Sequence, residues 1–186
     1  MFARTVAEGE RENALMPEPR ASRPHMPGYG IQGPDQGSGL LPWAWAEERL
    51  TASRNYWVSS LWPDGRPHSM PVWGVWDGEA LWFSSSNRSR KTRNLDADPR
   101  CAVTTEDAEE PVVIEGSAEI VRERDAIARV ADLMDAKYGG ITAEFLAANA
   151  TIRIRPRWAF GIAHDDFTGS PTRWVFEQGP SSHPPT

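Results

Sequence analysis

Short runs of apolar residues, rich in β-branched and aromatic side chains, recur along the chain after residue 40 and alternate in places with polar ones. This pattern is typical of half-buried strands. The turn dipeptides Asp64-Gly65 and Asp77-Gly78 separate consecutive runs, as expected of antiparallel hairpins. A break at Pro156 is expected because proline lacks a backbone N–H. The predicted strands cover residues 56–62, 68–76, 80–85, 100–105, 112–121, 151–155, 157–163 and 172–176.

Helical signals occupy segments between the predicted strands. Ser89 is a suitable N-cap for a helix that has to end before Pro99. A longer segment has apolar residues on one helical face and is followed by Gly139-Gly140, a typical helix stop. The predicted helices cover residues 45–52, 90–97, 125–138 and 143–148. Strands joined by short hairpins, with few helices, predict a mainly β protein built as a small closed or split β-barrel.

The N-terminal residues differ in composition from the rest of the chain. Proline and glycine are frequent up to residue 39, and apolar residues there are few and scattered. Such a segment buries too little apolar surface to offset the entropy that it loses on ordering. We therefore predict a disordered Pro/Gly-rich arm over residues 1–38, a barrel domain over 39–178 and a flexible C-terminal tail over 179–186.

The composition narrows the possible partners and locations. The formal net charge of the 186 residues is −6, which argues against nucleic acid or an anionic membrane as a partner. The single cysteine, Cys101, excludes an internal disulfide, and no spacing of cysteines and histidines indicates a metal site. No apolar run has the length of a membrane span and the chain does not begin with a signal-peptide pattern, so a cytoplasmic location is expected.

One short stretch is strongly basic and rich in hydroxyl groups despite the acidic balance of the chain. Ser84 and Ser85 end a predicted strand, and Ser89, Arg90 and Lys91 begin the following helix. A helix N-terminus flanked by hydroxyls and cations is suited to binding a phosphate group. The alternative is a solvated basic turn without a ligand. The acidic remainder of the chain favours a small anionic ligand over a polyanion.

Five further motifs follow one another in a recognisable order. They are Arg66-Pro67-His68, Pro71-Val72-Trp73, Ser89-Arg90-Lys91, Arg155-Pro156-Arg157 and Thr172-Arg173-Trp174. Together they resemble the pyridoxamine 5'-phosphate oxidase-like flavin-binding split barrels, over about residues 40–177. The resemblance implies a homodimer of split β-barrels with two cofactor sites at the dimer interface. It also implies that the flavin or deazaflavin ring lies along the strand at 68–76 and that its phosphate meets the Ser-Arg-Lys motif.

The same resemblance assigns individual residues to the cofactor. The residues implied to hold its phosphate and ribityl chain are Ser84, Ser85, Ser89, Arg90 and Lys91. The residues implied to run under its ring are Ser69, Met70, Pro71, Val72 and Trp73. The residues implied to reach the pocket of the partner subunit are Arg173 and Trp174. For each tryptophan, the alternative interpretation is barrel core or dimer interface.

Departures from the pyridoxamine phosphate oxidases indicate a different substrate. Ser69 and Gly74 stand where those enzymes carry basic residues, and no histidine follows Arg173 at short spacing. Oxidation of pyridoxamine phosphate is therefore not expected. The Pro-Val-Trp strand is more similar to the actinobacterial branch that uses deazaflavin F-420, with FMN as the alternative cofactor.

Two kinds of function are compatible with this resemblance. The first is an oxidoreductase that transfers hydride from the reduced cofactor to a small unsaturated organic substrate. His68 and Tyr56 are then candidate proton donors, since each lies on or beside the strands near the implied ring. The second is a non-catalytic flavin- or haem-binding carrier on the same barrel.

Overall fold

Eight strands and four helices form between residues 18 and 177, the part of the chain that this computed structural model describes. The strands are β1 Arg20–Ser22, β2 Asn55–Leu61, β3 Pro67–Trp76, β4 Leu81–Ser85, β5 Arg100–Thr105, β6 Val112–Val121, β7 Ala150–Gly161 and β8 Thr172–Val175. The helices are α1 Trp43–Ala52, α2 Arg90–Ala97, α3 Arg124–Tyr138 and α4 Ala143–Ala148. Within residues 18–177, no helix is both long and apolar enough to cross a membrane.

Six of the strands close into a barrel. Antiparallel pairing runs in the order β7, β4, β3, β2, β5 and β6, and β6 pairs with β7 to complete the circle. The second half of β7 also pairs with β8, which in turn pairs with β1, so these two strands extend the sheet beside the barrel. The mainly β, split-barrel fold class predicted from the sequence is confirmed.

Alternating burial along the strands fills the barrel with one set of side chains. On β2, Tyr56 and Val58 are buried whereas Trp57 between them is exposed. Val58 lies opposite Val103 of β5, and Val103 lies opposite Ile114 of β6. Because opposite residues of an antiparallel ladder share a face, these apolar side chains meet inside the barrel. The helix α3 packs against the outside of β3 and β4 in a second apolar cluster.

The predicted break at Pro156 is wrong, because β7 is continuous from Ala150 to Gly161. The pairing of β7 with β6 shifts by one residue between Glu115 and Gly116, whose partners are Trp158 and Pro156. Such a β-bulge interrupts the regular ladder, and proline is tolerated at a bulge because one ladder hydrogen bond is already missing there. The strand therefore bends at Pro156 without ending.

The predicted disordered arm also needs correction, because residues 18–38 pack against the barrel. Within this segment, β1 pairs with β8, and the backbone N–H of Ser38 donates to Asp166 at 2.6 Å. The guanidinium group of Arg23 donates to several backbone carbonyls, those of Gly33, Gln36, Gly169 and Pro171. These hydrogen bonds offset the entropy that the segment loses on ordering, which its few apolar residues could not offset. The rest of the predicted arm, and the predicted tail 179–186, lie outside the described residues.

Candidate functional site

The barrel is split where β3 separates from β4. Residues 67–73 of β3 pair with β2 along one edge, whereas β4 pairs only with Gly74, Val75 and Trp76. Among the described residues, no strand pairs with 67–73 on the side facing β4. A strand edge of this kind presents unpaired backbone N–H and C=O groups. The edge can therefore form hydrogen bonds with a planar ligand that lies along it.

The end of β4 faces this open edge. Phe83 pairs with Gly74, so continuing the same register would set Ser84 and Ser85 opposite Trp73 and Val72. Both serines stay paired with β7 on the other side, which holds them in place while β3 diverges. The split thus has the backbone of β3 on one side and the hydroxyl groups of β4 on the other.

A small polar cluster joins the end of β4 to the start of α2. Ser89 caps α2 by accepting a hydrogen bond from the backbone N–H of Thr92 at 3.2 Å. The ammonium group of Lys91 donates to Ser85 Oγ at 3.3 Å, and Ser85 Oγ lies 3.0 Å from Ser89 Oγ. Ser84 Oγ is buried with no hydrogen-bond partner among residues 18–177. Because successive side chains of a strand point to opposite faces, Ser84 lies on the other face of β4 from Ser85, and the cluster itself consists of Ser85, Ser89 and Lys91.

The charge of Lys91 is also uncompensated. Burial lowers the pKa of the Lys91 ammonium group. None of the carboxylates among the described residues forms an ion pair with Lys91. A partly desolvated cation is stabilised by an anion that accepts its hydrogen bonds. Together with the hydroxyl groups of Ser85 and Ser89 and the N-terminus of α2, this cation fits a phosphate group.

The indole of Trp62 connects this corner to the start of β3. The guanidinium carbon of Arg90 lies 4.0 Å from the centre of the Trp62 ring, and that of Arg66 lies 4.9 Å from it. The imidazole of His68 meets the same indole edge-on at 6.0 Å. Its Nδ1 is buried and has no partner within the described part of the chain. Trp62 was not predicted as a site residue, and only its proximity to the Arg66-Pro67-His68 motif could have indicated it.

The residues predicted to run under a ring differ in exposure. Ser69, Met70, Pro71 and Trp73 are exposed, with Trp73 57% accessible, and Val72 is buried in the barrel. This alternation leaves the indole of Trp73 free to form a wall beside the open edge of β3. Val72 supports the strand from within the core, so a ligand would meet its backbone and not its side chain.

The end of α3 contacts β3 at the point where the split begins. Tyr138 Oη accepts a hydrogen bond from the backbone N–H of Gly74 at 2.9 Å, and its ring stacks on Trp73 with 5.1 Å between ring centres and 7° between planes. The ammonium group of Lys137 donates to the carbonyl oxygens of Gly74 and Ser53, at 3.0 and 2.5 Å. The sequence places Tyr138 at the end of the predicted helix 125–138, in the segment Lys137-Tyr138-Gly139 that also fits the family resemblance, and assigns it no contact with β3. The 64 residues between Tyr138 and Gly74 carry no local signal for this contact.

Tyr56 is wrong as a candidate proton donor, because its side chain is fully buried. Its hydroxyl donates to the backbone carbonyl of Leu50 and accepts from the ammonium group of Lys137 at 3.2 Å. Burial raises the pKa of Tyr56 well above its usual value, with the neighbouring Tyr138 and Glu106 adding to the effect. The hydroxyl therefore forms hydrogen bonds within the core and cannot contact a ligand.

Of the two predicted site residues on β8, Trp174 is buried and Arg173 is exposed. Trp174 has no accessible surface and packs between Trp43 and Trp45, with ring centres 5.6 and 6.5 Å away. Its predicted contact with a cofactor is therefore corrected to a role in the core. Arg173 is exposed, and its guanidinium carbon lies 5.2 Å from the centre of the Trp158 ring on the outside of the barrel. A contact between Arg173 and a partner subunit stays a prediction.

The ammonium group of Lys137 predicts a pH dependence of stability. Burial lowers its pKa from the usual 10.5 to about 8. Between these values the folded protein binds fewer protons than the unfolded chain, so the free energy of unfolding rises with pH. Because the group is only half-buried, we expect a rise of about 1 kcal/mol between about pH 8 and 10.5, measured by urea unfolding. The Lys137→Met variant should lose this rise, and an equal rise in that variant would contradict the assignment.

Comparison with known proteins supports the split-barrel fold and identifies a matching family and similar structures. Residues 44–163 match the family model described as pyridoxamine 5'-phosphate oxidase. A conserved hypothetical protein from Mycobacterium tuberculosis is 29% identical, with a TM-score of 0.60 and coverage of 67% of this chain and 86% of that one. A structure described as an F-420 reductase is 26% identical, with a TM-score of 0.50 and coverage of 59% and 91%.

A haem storage protein from Vibrio cholerae has a TM-score of 0.53, with coverage of 60% of this chain and 87% of that one. Its sequence identity of 19% shows a shared fold alone. No curated protein matches the chain. The family match spans α1 and the whole six-stranded barrel, and the split between β3 and β4 lies within it. On this evidence, the chain belongs to the pyridoxamine 5'-phosphate oxidase family.

Proposed function

We propose that the protein is an oxidoreductase that binds a flavin-type cofactor, deazaflavin F-420 or alternatively FMN, at the split between β3 and β4. When bound in its reduced form, such a cofactor supplies a hydride to a small unsaturated organic substrate. The observation that carries the proposal is an open edge of β3 faced by the end of β4, where Lys91 contacts Ser85 and forms no ion pair with a carboxylate of residues 18–177. A planar ring and a phosphate are the two parts that this arrangement accepts.

The phosphate end is assigned to the corner between β4 and α2. Lys91 supplies a charge that is already partly desolvated, so a hydrogen bond to an anion gains more there than at a fully hydrated lysine. Ser84 and Ser85 offer hydroxyl groups at the end of β4, and Arg90 adds a second cation held flat against Trp62. Each of these groups favours a dianion over a neutral ligand.

The ring end is assigned to the open edge of β3. The backbone of residues 69–73 can hydrogen-bond the polar edge of a ring, as a further strand would do. Trp73 provides an exposed aromatic wall that excludes water from one side. A site that orients the ring and keeps water away serves hydride transfer without acid or base groups of its own.

His68 is the remaining candidate for delivering a proton. Its imidazole is half-buried at the start of β3, and its Nδ1 has no partner among residues 18–177. A half-buried imidazole next to the open edge is suited to hold a proton for a reduced substrate. Because Tyr56 is buried, His68 is the first candidate proton donor to test in a turnover assay.

The choice of deazaflavin over FMN is supported by the sequence departures and by one relative. The chain has Ser69 and Gly74 where pyridoxamine phosphate oxidases carry basic residues, and a protein described as an F-420 reductase is 26% identical to it. Both cofactors carry a phosphate, so the corner at Lys91 serves either. The cytoplasmic location expected from the sequence stays a prediction.

A binding titration tests the proposal directly. The purified protein is titrated with FMN, FAD and deazaflavin F-420, followed by absorbance and fluorescence, and then assayed for oxidation of the reduced cofactor in the presence of unsaturated acceptors. Selective binding of deazaflavin or FMN with turnover supports the oxidoreductase. Binding without turnover of any acceptor favours the carrier function instead. Failure to bind all three cofactors would remove the proposed function.

We also propose that a second copy of the chain covers one outer face of the barrel. Trp57 is 46% exposed and lies opposite Pro71 on β3 and Thr104 on β5. Val113 and Phe160 continue the same row across β6 and β7. Because opposite residues share a face, these side chains form an apolar band on the outside of the barrel. Bands of this kind mark protein interfaces, and the homodimer implied by the resemblance would bury it.

The substitution Trp57→Arg is expected to raise the dissociation constant of the dimer at least about tenfold, because burying an arginine there leaves its charge unpaired. Sedimentation velocity over a range of protein concentrations measures the change. Phe145→Arg on α4 is the matched control, since Phe145 is similarly exposed but lies away from the band. A wild-type protein that is monomeric at all concentrations contradicts the proposal.

A further inference from the structure

We propose that Tyr138, at the end of α3, is a positioning residue that holds the backbone of Gly74 and the indole of Trp73 in the orientation that the cofactor site uses. This inference rests on the proposed function for the identity of the ligand. The contacts themselves exist in the protein without any ligand, so they can be tested separately. Tyr138 belongs to neither the phosphate corner nor the strand under the ring.

The hydroxyl of Tyr138 bridges the start of β2 and the last part of β3. Its oxygen accepts the hydrogen bond from the N–H of Gly74 at 2.9 Å and lies 2.5 Å from the carbonyl oxygen of Arg54, to which it can donate. Arg54 directly precedes β2, and Gly74 is the residue of β3 at which pairing with β4 begins. One hydroxyl thus ties β2 and β3 together at the point where the barrel splits.

The ring of Tyr138 contacts Trp73, the residue that precedes Gly74. It stacks on Trp73 with planes 7° apart and centres 5.1 Å apart. Trp73 is otherwise exposed on the outside of the sheet, where an unsupported indole would exchange between rotamers. Stacking on a ring that is itself fixed by hydrogen bonds limits Trp73 to one orientation. A preorganised wall binds a planar ligand more tightly because less freedom is lost on binding.

Lys137 gives the same junction a second support. Its ammonium group donates to the carbonyl oxygens of Gly74 and Ser53, so the carbonyl side of Gly74 stays anchored when the Tyr138 hydroxyl is removed. The titratable and charged groups that face this ammonium are Tyr56, Tyr138, Glu106 and Arg54. Because Lys137 holds the strand, loss of the Tyr138 hydroxyl should release one amide and leave the barrel intact.

Two substitutions separate the hydroxyl from the ring. Tyr138→Phe keeps an aromatic ring for the stack on Trp73 and removes the hydroxyl contacts with Gly74 and Arg54, whereas Tyr138→Leu removes the stack as well. In the ligand-free protein, NMR-detected hydrogen exchange of the Gly74 amide reports on the hydroxyl, with the amide of core residue Val58 as the folding control. Acrylamide quenching of Trp73 fluorescence, obtained by difference from a Trp73→Phe counterpart, reports on the stack.

We expect the Gly74 amide to exchange at least about tenfold faster in both variants, while exchange at Val58 is unchanged. Quenching of Trp73 should increase in Tyr138→Leu and stay at the wild-type level in Tyr138→Phe. The affinity for the flavin that the wild type binds, FMN or deazaflavin F-420, should fall about tenfold in Tyr138→Leu and about threefold in Tyr138→Phe.

Different results overturn different claims. Unchanged Gly74 exchange and unchanged Trp73 quenching in Tyr138→Leu would show that Tyr138 holds neither group. Increased quenching with full flavin affinity would show that the orientation of Trp73 does not matter to binding. A wild type that binds neither flavin would remove the proposed function, and the exchange and quenching data would then decide the positioning role by themselves.

Discussion

Replacement of Lys91 by alanine is expected to weaken flavin binding by about 1.5–3 kcal/mol, which is roughly a 10- to 100-fold rise in the dissociation constant. The physical reason is that the ammonium group of Lys91 is partly buried and forms no ion pair among residues 18–177. A bound phosphate would supply the negative charge that stabilises it. Arg90→Ala is expected to have an effect in the same range, because Arg90 is held at the same corner by Trp62. Fluorescence titration with FMN and deazaflavin F-420 measures both changes.

One control for this experiment is at the same position and the other lies on a different helix, α3. Lys91→Arg keeps the charge and should retain most of the affinity, although its shape differs. Arg124→Ala removes an exposed cation at the start of α3 and changes the net charge by the same amount, so its effect on binding should be close to zero. Thermal unfolding checks that each variant is folded. Wild-type affinity in both Lys91→Ala and Arg90→Ala would refute the phosphate site.

Replacement of Gly116 by alanine is expected to lower the free energy of unfolding by about 2–4 kcal/mol. A Cβ atom at this position would lie 2.2 Å from the carbonyl oxygen of Arg155 and 3.3 Å from a methyl group of Ile154. The nearer atom belongs to the backbone of β7 at the bulge, which cannot turn aside as a side chain can. Either the β6–β7 ladder opens locally or the bulge shifts, and both weaken closure of the barrel. Urea unfolding measures the loss.

Gly33→Ala is the matched control for this prediction. At Gly33 the backbone has an ordinary conformation, and an added Cβ would come no nearer than 3.7 Å to Gln36. The same change in side chain is therefore expected to alter stability by less than about 0.5 kcal/mol. Equal losses at the two positions would show that the effect comes from replacing glycine in general and not from the close approach at Gly116.

The strands and short helices of the barrel could be predicted from local sequence. Hairpin turns at Asp64-Gly65 and Asp77-Gly78 fall where two consecutive strand pairs reverse, and Ser89 caps α2 with the hydrogen bond expected of an N-cap. These features depend on residues a few positions apart, so the pattern contains the relevant physics. The phosphate corner was predicted for the same reason. The fold brings Ser85, Ser89 and Lys91 together, and the role of these residues and of Ser84 as ligands stays a prediction.

The structure departs from the local sequence patterns where distant segments meet. A break at Pro156 was expected from proline alone, yet a bulge opposite Gly116 allows β7 to continue. Order in residues 18–38 depends on β8 and on backbone carbonyls that Arg23 reaches across the fold. Tyr56 and Trp174 are aromatic residues with polar groups, and only the packed core decides that neither faces a ligand.

The sequence by itself determined where most strands of the barrel lie along the chain, the hairpins and the position of the basic corner, because each follows from periodicity, turn residues and helix capping within a short window. Tertiary structure alone decided which groups remain unused. Among residues 18–177, it left residues 67–73 of β3 unpaired on one edge, buried Ser84 Oγ without a hydrogen bond, and joined Tyr138 to Gly74. The physical reason is that satisfaction of a hydrogen bond or a charge depends on every neighbour in space, and closure of the barrel sets those neighbours.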